Sequence, residues 1–222
     1  MAVNYNCGSI VTSGLVLCLD AANTKSYPGS GTTWTDLSGR GNNGTLVNGV
    51  GYNSGNGGSL SFDGVDDYVN CLAQSSGSFT QSGWIKTNNV STYRSIISWG
   101  QHISQKDRTL WLNVTTGTAA LYFYGTSDNM ISGTTNCADN NWHYIVGTWD
   151  GTTGRIYVDG RLENSGSLTA AAYTYSSTNI GRNISGSYRW NGNISQVSIY
   201  NRALSAAEVS QNFNMMRGRF GI

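Results

Sequence analysis

Charge is scarce in this chain. Lys and Arg number 13 and Asp and Glu 12 among 222 residues, leaving a formal net charge of +1, so no field of one sign is available to hold a nucleic acid or an anionic membrane. Long apolar runs are missing too: none approaches the roughly 20 residues that span a bilayer. Met1 to Asn6 has neither a basic n-region nor an apolar h-region, which argues against a secretory signal. Proline occurs once, and glutamate only at Glu163 and Glu208. The four cysteines, Cys7, Cys18, Cys71 and Cys137, have neither zinc spacing nor a CxxC pair; they predict free thiols in a chain assembled in a reducing cytoplasm, with disulfides as the alternative. Five Asn-x-Ser/Thr sequons begin at Asn43, Asn89, Asn113, Asn183 and Asn193. They matter only on a eukaryotic secretory route and are discounted without a leader.

What is abundant points one way. Glycine reaches 29 residues and aromatics 11%, the balance of many short strands joined by tight turns. The length fits one large sandwich better than two small domains. Leu15 to Asp20 is apolar on both faces and predicts a strand covered on both sides. The polar stretch from Ala21 to Gly58 predicts ordered loops around short strands, anchored by Trp34 and Leu37. Thr109–Val114 and Ala119–Tyr124 predict a hairpin around Thr115 to Thr118, with Val114 opposite Ala119. That register puts Leu110, Leu112, Leu121 and Phe123 on one face and Trp111, Tyr122 and Tyr124 on the other. A second hairpin, with Trp149 opposite Ile156, puts Ile145, Trp149, Ile156 and Val158 on one face and Tyr144, Thr148, Tyr157 and Asp159 on the other. In the last stretch, Ile194 to Tyr200 alternates as a strand. Ser205 and Glu208 then form a capping box, and Leu204 and Val209 a hydrophobic staple, so a short helix starts at Ala206. The expected fold is all-β: a two-sheet antiparallel β-sandwich with one short C-terminal helix.

Catalytic chemistry is hard to build from these residues. A glycosidase needs two placed carboxyls, yet Glu163 stands beside a turn and Glu208 belongs to the capping box. Asp63, Asp66 and Asp67 are clustered, but Phe-Asp-Gly-x-Asp-Asp-Tyr reads first as turn chemistry. No Gly-x-Ser-x-Gly elbow occurs, and neither His102 in a loop nor His143 before a strand has a nucleophile beside it. No catalytic residue is assigned. Binding is better served: Trp111, Tyr122, Tyr124 and Tyr157 share the polar side of the hairpins, as a sugar platform or as part of the core. Tyr188-Arg189-Trp190 in a Gly/Asn-rich loop is the candidate ligand-binding triplet, with a single anchored loop as the alternative.

Five stretches resemble, in order, the laminin-G-like, concanavalin A-like jelly-roll family. They are Gly14 to Asp20, Asp36 to Gly44, Leu60 to Val69, Asn141-Trp142-His143 with Tyr157-Val158-Asp159-Gly160, and Gly192 to Asn214. The resemblance implies a jelly-roll domain over residues 14–214, between an N-terminal arm, 1–13, and a C-terminal tail, 215–222, that lie outside the sandwich. Relatives of that family often hold calcium, for which Asp63, Asp66, Asp67 and Asn43 are the oxygen donors to inspect, but Gln196 stands where the family commonly has an acidic residue and weakens such a site, so no cofactor and no metal ligand are assigned. Leu17 to Asn23 and Trp34 to Gly39 are similar to single-domain virion surface proteins of tailed bacteriophages, marine ones in particular. The expectation is a non-enzymatic capsid decoration, knob or fibre component, made in the host cytoplasm and carried on the virion surface. Its partners would be other virion proteins held through the terminal arms, further copies of itself and a cell-surface glycan, with no nucleic acid and no membrane. A free-standing lectin is the alternative, and a polysaccharide hydrolase the second.

Overall fold

The computed structural model describes residues 10–73, 75, 77–101, 106–124, 129–169 and 177–222. Most of the expected N-terminal arm, with Cys7 and His102, lies outside the described residues. The strands in chain order are β1 (Leu15–Asp20), β2 (Thr33–Trp34), β3 (Gly44–Val47), β4 (Gly51–Asn53), β5 (Ser59–Asp63) and β6 (Tyr68–Cys71). Then come β7 (Phe79–Lys86), β8 (Arg94–Gln101), β9 (Lys106–Leu112), β10 (Thr118–Phe123) and β11 (Asn129–Asn136). The chain closes with β12 (Trp142–Trp149), β13 (Thr153–Val158), β14 (Arg161–Ser167), β15 (Ser177–Ile180), β16 (Asn191–Tyr200) and the helix α1 (Ala206–Met216).

These strands make two antiparallel sheets of eight. The first runs β14-β13-β12-β7-β16-β5-β4, with β1 also on β16; the second runs β11-β10-β9-β8-β15-β6-β3-β2. Alternation sends one side of each strand into the space between the sheets. Trp34, Leu60, Phe79, Trp99, Leu110, Leu121, Phe123 and Ile145 meet there. β1 is covered on both sides as its composition predicts: Leu17 and Leu19 join that core, while Leu15 and Cys18 join a second cluster outside the first sheet. Trp34 is fully buried, and the Leu37 amide donates to the Cys18 carbonyl at 2.8 Å. The loop region is thus pinned where expected.

Both hairpins keep the expected faces, but each pairs two residues away from the expected register, and the second closes tighter than expected. Leu121 opposes Leu110 and Ala119 opposes Leu112; the first loop is one residue earlier because Asn113 donates to the Thr118 carbonyl at 2.9 Å, and Thr115 and Gly117 take positive φ inside it. Trp149 opposes Gly154, not Ile156. Asp150 Oδ1 accepts from the Thr152 and Thr153 amides at 3.1 and 2.8 Å, which closes a turn of two residues where four were expected. Each shift is of two residues, so no side chain changes face. Tyr157 is therefore not with Trp111: it lies outside the first sheet, whereas Trp111 lies on the second.

Helix α1 starts as predicted, Ser205 Oγ accepting from the Glu208 amide and Glu208 bonding back to the Ser205 amide at 2.9 Å. Val209, Met216 and Phe213 press on Trp84, Tyr144, Val146, Tyr157 and Tyr200, so α1 covers the outer face of the first sheet. The expected C-terminal tail is not unpacked. Residues Arg217–Arg219 form a 3-10 turn, Phe220 stacks on Trp84 with 4.1 Å between centroids, and the Arg219 guanidinium reaches Asp20 at 2.8 Å and the Asn56 carbonyl at 3.0 Å. Burial holds the Asp20 carboxyl above its usual range despite Arg219; a counter-charge at that depth is what draws the tail in. Cys18 is disulfide-bonded, which corrects the free-thiol expectation for that residue; Cys71 and Cys137 are free and buried. Burial pushes the Cys71 thiol up to about 12, so it is not a nucleophile at neutral pH.

Candidate ligand-binding face

No helix among the described residues covers the outer face of the second sheet. Trp111 and Tyr122, diagonal neighbours on β9 and β10, stack there with centroids 4.3 Å apart. Tyr93, just before β8, stacks on the other side of Trp111 at 4.5 Å, and Tyr124 continues the row beyond Tyr122 at 6.2 Å. Tyr188 meets Tyr93 and Trp111 edge-on at 5.3 and 5.6 Å. Trp111 is 4% exposed, whereas the four tyrosines are half-buried. A ring stacked on both sides offers a ligand neither face; the row presents edges and phenolic hydroxyls instead. It is amphipathic, with hydroxyls that donate and accept. Beside it the face carries uncharged polar groups, with Ser98 Oγ and Thr109 Oγ1 paired at 2.9 Å and Asn70 donating to Asn179 at 3.1 Å.

Tyr188 and Arg189 are held by the loop between β15 and β16. Asn183 Oδ1 accepts from the Ser187 amide and the Ser185 hydroxyl at 2.7 Å, and Trp190 returns its amide to the Gly181 carbonyl at 2.7 Å. Tyr188 takes φ 50°, a left-handed conformation uncommon for an aromatic residue. Of the expected triplet, Tyr188 is half-buried and Arg189 exposed, but Trp190 is fully buried in the inter-sheet core. Trp190 is the loop's anchor and not a ligand contact.

Sequence reasoning missed the other half of the site. Tyr93-Arg94 is a second Tyr-Arg pair, and the two pairs meet: the Ser95 amide donates to the Tyr188 carbonyl at 2.8 Å and Arg94 Nη1 to the Arg189 carbonyl at 2.6 Å. Arg94 also donates to the Asn89 carbonyl at 3.1 Å, Asn89 Oδ1 at 2.5 Å and Ser91 Oγ at 3.0 Å. Between the pairs is a hollow of about 290 Å³ lined by Gly64, Thr92, Arg94, Gly186, Ser187, Tyr188 and Arg189. The repeated Tyr-Arg dipeptide was the available signal.

The acidic positions fall elsewhere. Asp63, Asp66 and Asp67 bring carboxylate oxygens within 4.8 Å of one another. Burial, with the charges of Asp63 and Asp66 beside it, raises the Asp67 carboxyl, and Asp67 Oδ1 is buried without a partner. Three hard oxygen donors of this kind fit calcium chemistry. Asn43 does not belong to the group: its Oδ1 accepts from the Asp36 amide at 2.9 Å. Gln196 is buried, and its Nε2 bonds Ser198 Oγ, away from that loop. A second cavity, about 350 Å³, is lined by Thr135, Val158, Asp159, Arg161, Glu163, Phe213 and Arg217. Both of its carboxylates are committed: Glu163 accepts from the Thr134 and Thr135 amides at 2.8 and 3.1 Å, Asp159 from the Tyr144 amide at 2.8 Å and against His143 Nδ1 at 2.8 Å. Glu208 is paired with Arg202 at 2.6 Å.

A family profile described as the concanavalin A-like lectin/glucanases superfamily, of laminin G type, matches residues 55–210, more than half of the chain. No curated protein matches the sequence. Among solved structures, domain 4 of AbnA, a GH43 extracellular arabinanase from Geobacillus stearothermophilus, in complex with arabinotriose, superimposes with TM-score 0.74 at 17% identity. That match covers 92% of this chain and 98% of the other. The binding domain of Paraclostridial Mosquitocidal Protein 1 gives 0.71 at 18% identity, covering 90% and 52%. The binding domain of botulinum neurotoxin DC in complex with SialylT gives 0.71 at 14% identity, covering 93% and 52%. The chain thus spans about half the length of the toxin binding domains it matches. At these identities the likeness is one of fold.

Proposed function

The chain belongs to the concanavalin A-like lectin/glucanases superfamily, and from that premise we propose that it is a non-enzymatic binding module that takes a glycan, or a glycan-bearing receptor, on the outer face of its second sheet. The observation that carries this reading is the unequal treatment of two aromatic faces. Trp84, Tyr144 and Tyr157 outside the first sheet are covered by α1 and Phe220, while Tyr93, Tyr122, Tyr124 and Tyr188 outside the second sheet stay half-exposed around Trp111. Half-exposed tyrosines among Ser, Thr and Asn suit ligands made of hydroxyls and short apolar ring patches. The arabinotriose-bound domain of the same fold supports a sugar, and the binding domains of the toxins support a receptor. Against hydrolysis stands the commitment of Asp159 and Glu163 to neighbouring donors. On a glycan panel the wild-type chain is expected to bind without releasing reducing ends, and Tyr122→Ala to weaken binding about tenfold, the worth of one desolvated ring contact. Reducing-end release would overturn the reading.

A second reading, display on a virion surface, is favoured by where Ile10, Val11 and the C-terminal turn sit. Ile10 and Phe220 both belong to the cluster outside the first sheet, and the Val11 amide donates to Asn212 of α1 at 2.9 Å. Attachment through these residues would turn the second sheet's face outward. Removal of residues 1–13 is then expected to abolish incorporation into particles while glycan binding persists; incorporation of the shortened chain would count against it.

A further inference from the structure

We propose that the hollow between the two Tyr-Arg pairs selects sugars bearing an anionic group, a carboxylate or a phosphate, an inference that rests on the glycan-binding reading above. Two cations line it, and a third stands beside its Gly186 wall. Arg94 is 5% exposed, fixed by carbonyl and hydroxyl oxygens and by the Asn89 amide oxygen. Arg189 is exposed at the mouth. Arg182 has Nη1 3.8 Å from where a Cβ on Gly186 would stand, its guanidinium lies over the Tyr68 ring, and its Nε is buried without a partner. Among the described residues, the ion pairs involve His143, Arg155, Arg202 and Arg219, and none of these three arginines. A buried guanidinium whose hydrogen-bond acceptors are all neutral is a charge without an ion-pair partner, and such a charge costs stability unless an anion arrives to meet it.

No ion pair among the described residues joins Asp63, Asp66 or Asp67 of the neighbouring loop to these arginines. Asp63 Oδ1 accepts from the Val65 amide at 2.7 Å and Asp67 Oδ2 from the Asp63 amide at 3.0 Å. Only Gly64 of that loop lines the hollow. With Thr92 and Ser187 on the wall, the hollow offers hydroxyls as well as cations. Its 290 Å³ accommodates about one sugar ring. Tyr188 belongs both to the hollow and to the aromatic row, so a ring seated over the row brings its acidic substituent to Arg189. The planar guanidinium suits a carboxylate or phosphate bidentately.

Titration of the full chain with an oligogalacturonate, with its carboxyl-reduced counterpart and with a phosphorylated neutral oligosaccharide of the same length tests this. The acidic oligomer is expected to bind about tenfold tighter than the reduced one, a preference that weakens with salt. Arg189→Ala is expected to abolish the preference, while Arg161→Ala, which removes an exposed charge at the other cavity, leaves it intact. A preference confined to the phosphorylated oligomer keeps the inference and names phosphate as the group. Equal binding of all three oligomers, or equal loss of preference in both variants, overturns it and leaves the glycan-binding face standing. Binding of none of them, with neutral glycans bound elsewhere on a panel, overturns it too; failure on every glycan removes the reading beneath it.

Discussion

At the scale of single residues, the chemistry of this chain is spent on holding loops. His143 illustrates it. Its Nδ1 is 2.8 Å from Asp159 and its Nε2 3.1 Å from Asp139. Burial alone pushes the imidazole down, but the hydrogen bonds and charges of the two aspartates outweigh it and raise it above its usual value. Asp139 is held below the carboxylate range: its own burial is outweighed by hydrogen bonds from Asn141 and by His143. A raised folded pKa stabilises fully below the imidazole's unfolded value and is lost as pH rises through the folded one; a lowered carboxyl stabilises above its unfolded value and is lost in acid. His143→Gln should therefore lower Tm more at pH 5.5 than at pH 9, measured by thermal melts. An equal loss at both pH values would contradict the ion-pair account.

At the scale of elements, the faces of the strands were legible and the turns were not. Leu110, Leu121, Ile145 and Ile156 fall on the core side as alternation predicts, because the pleat has period two and one face must be dry. The registers at Asn113 and Asp150 were missed because polar bonds within the turns decide them, Asn113 Nδ2 donating to Thr118 Oγ1 and the Thr153 amide to Asp150 Oδ1, and hydrophobic pattern is blind to those. In the same way the polar neighbours of Trp190 left open a ligand contact or a loop anchor, and the loop turns it inward as the anchor, while the partner pair Tyr93-Arg94, 95 residues upstream of Tyr188-Arg189, is brought close only by the β8–β15 pairing. The C-terminal turn was missed because the partner of Arg219, Asp20, is 199 positions away. That clasp carries its own test. Arg219→Met leaves the Asp20 carboxyl buried and unpaired, at a cost of about 3–5 kcal/mol. Adding Asp20→Asn should restore part of the loss in chemical denaturation. No recovery in the double variant would show that the pairing is not what the tail contributes.

At the scale of the whole molecule, one sandwich carries two aromatic outer faces with opposite fates. The first sheet gives its face to α1 and the C-terminal turn, and Trp84 is stacked upon by Phe220. The second keeps its row of tyrosines beside three arginines that have no carboxylate partner among the described residues. Ile10, Val11 and the C-terminal turn pack on the covered side, so the other side is the one left to meet a ligand. Amide hydrogen exchange with and without a saturating bound glycan reads this most directly. The account predicts added protection in β8, β9, β10 and residues 181–190, with α1 and residues 159–163 unchanged; protection centred on α1 or on the cavity at 159–163 would contradict it.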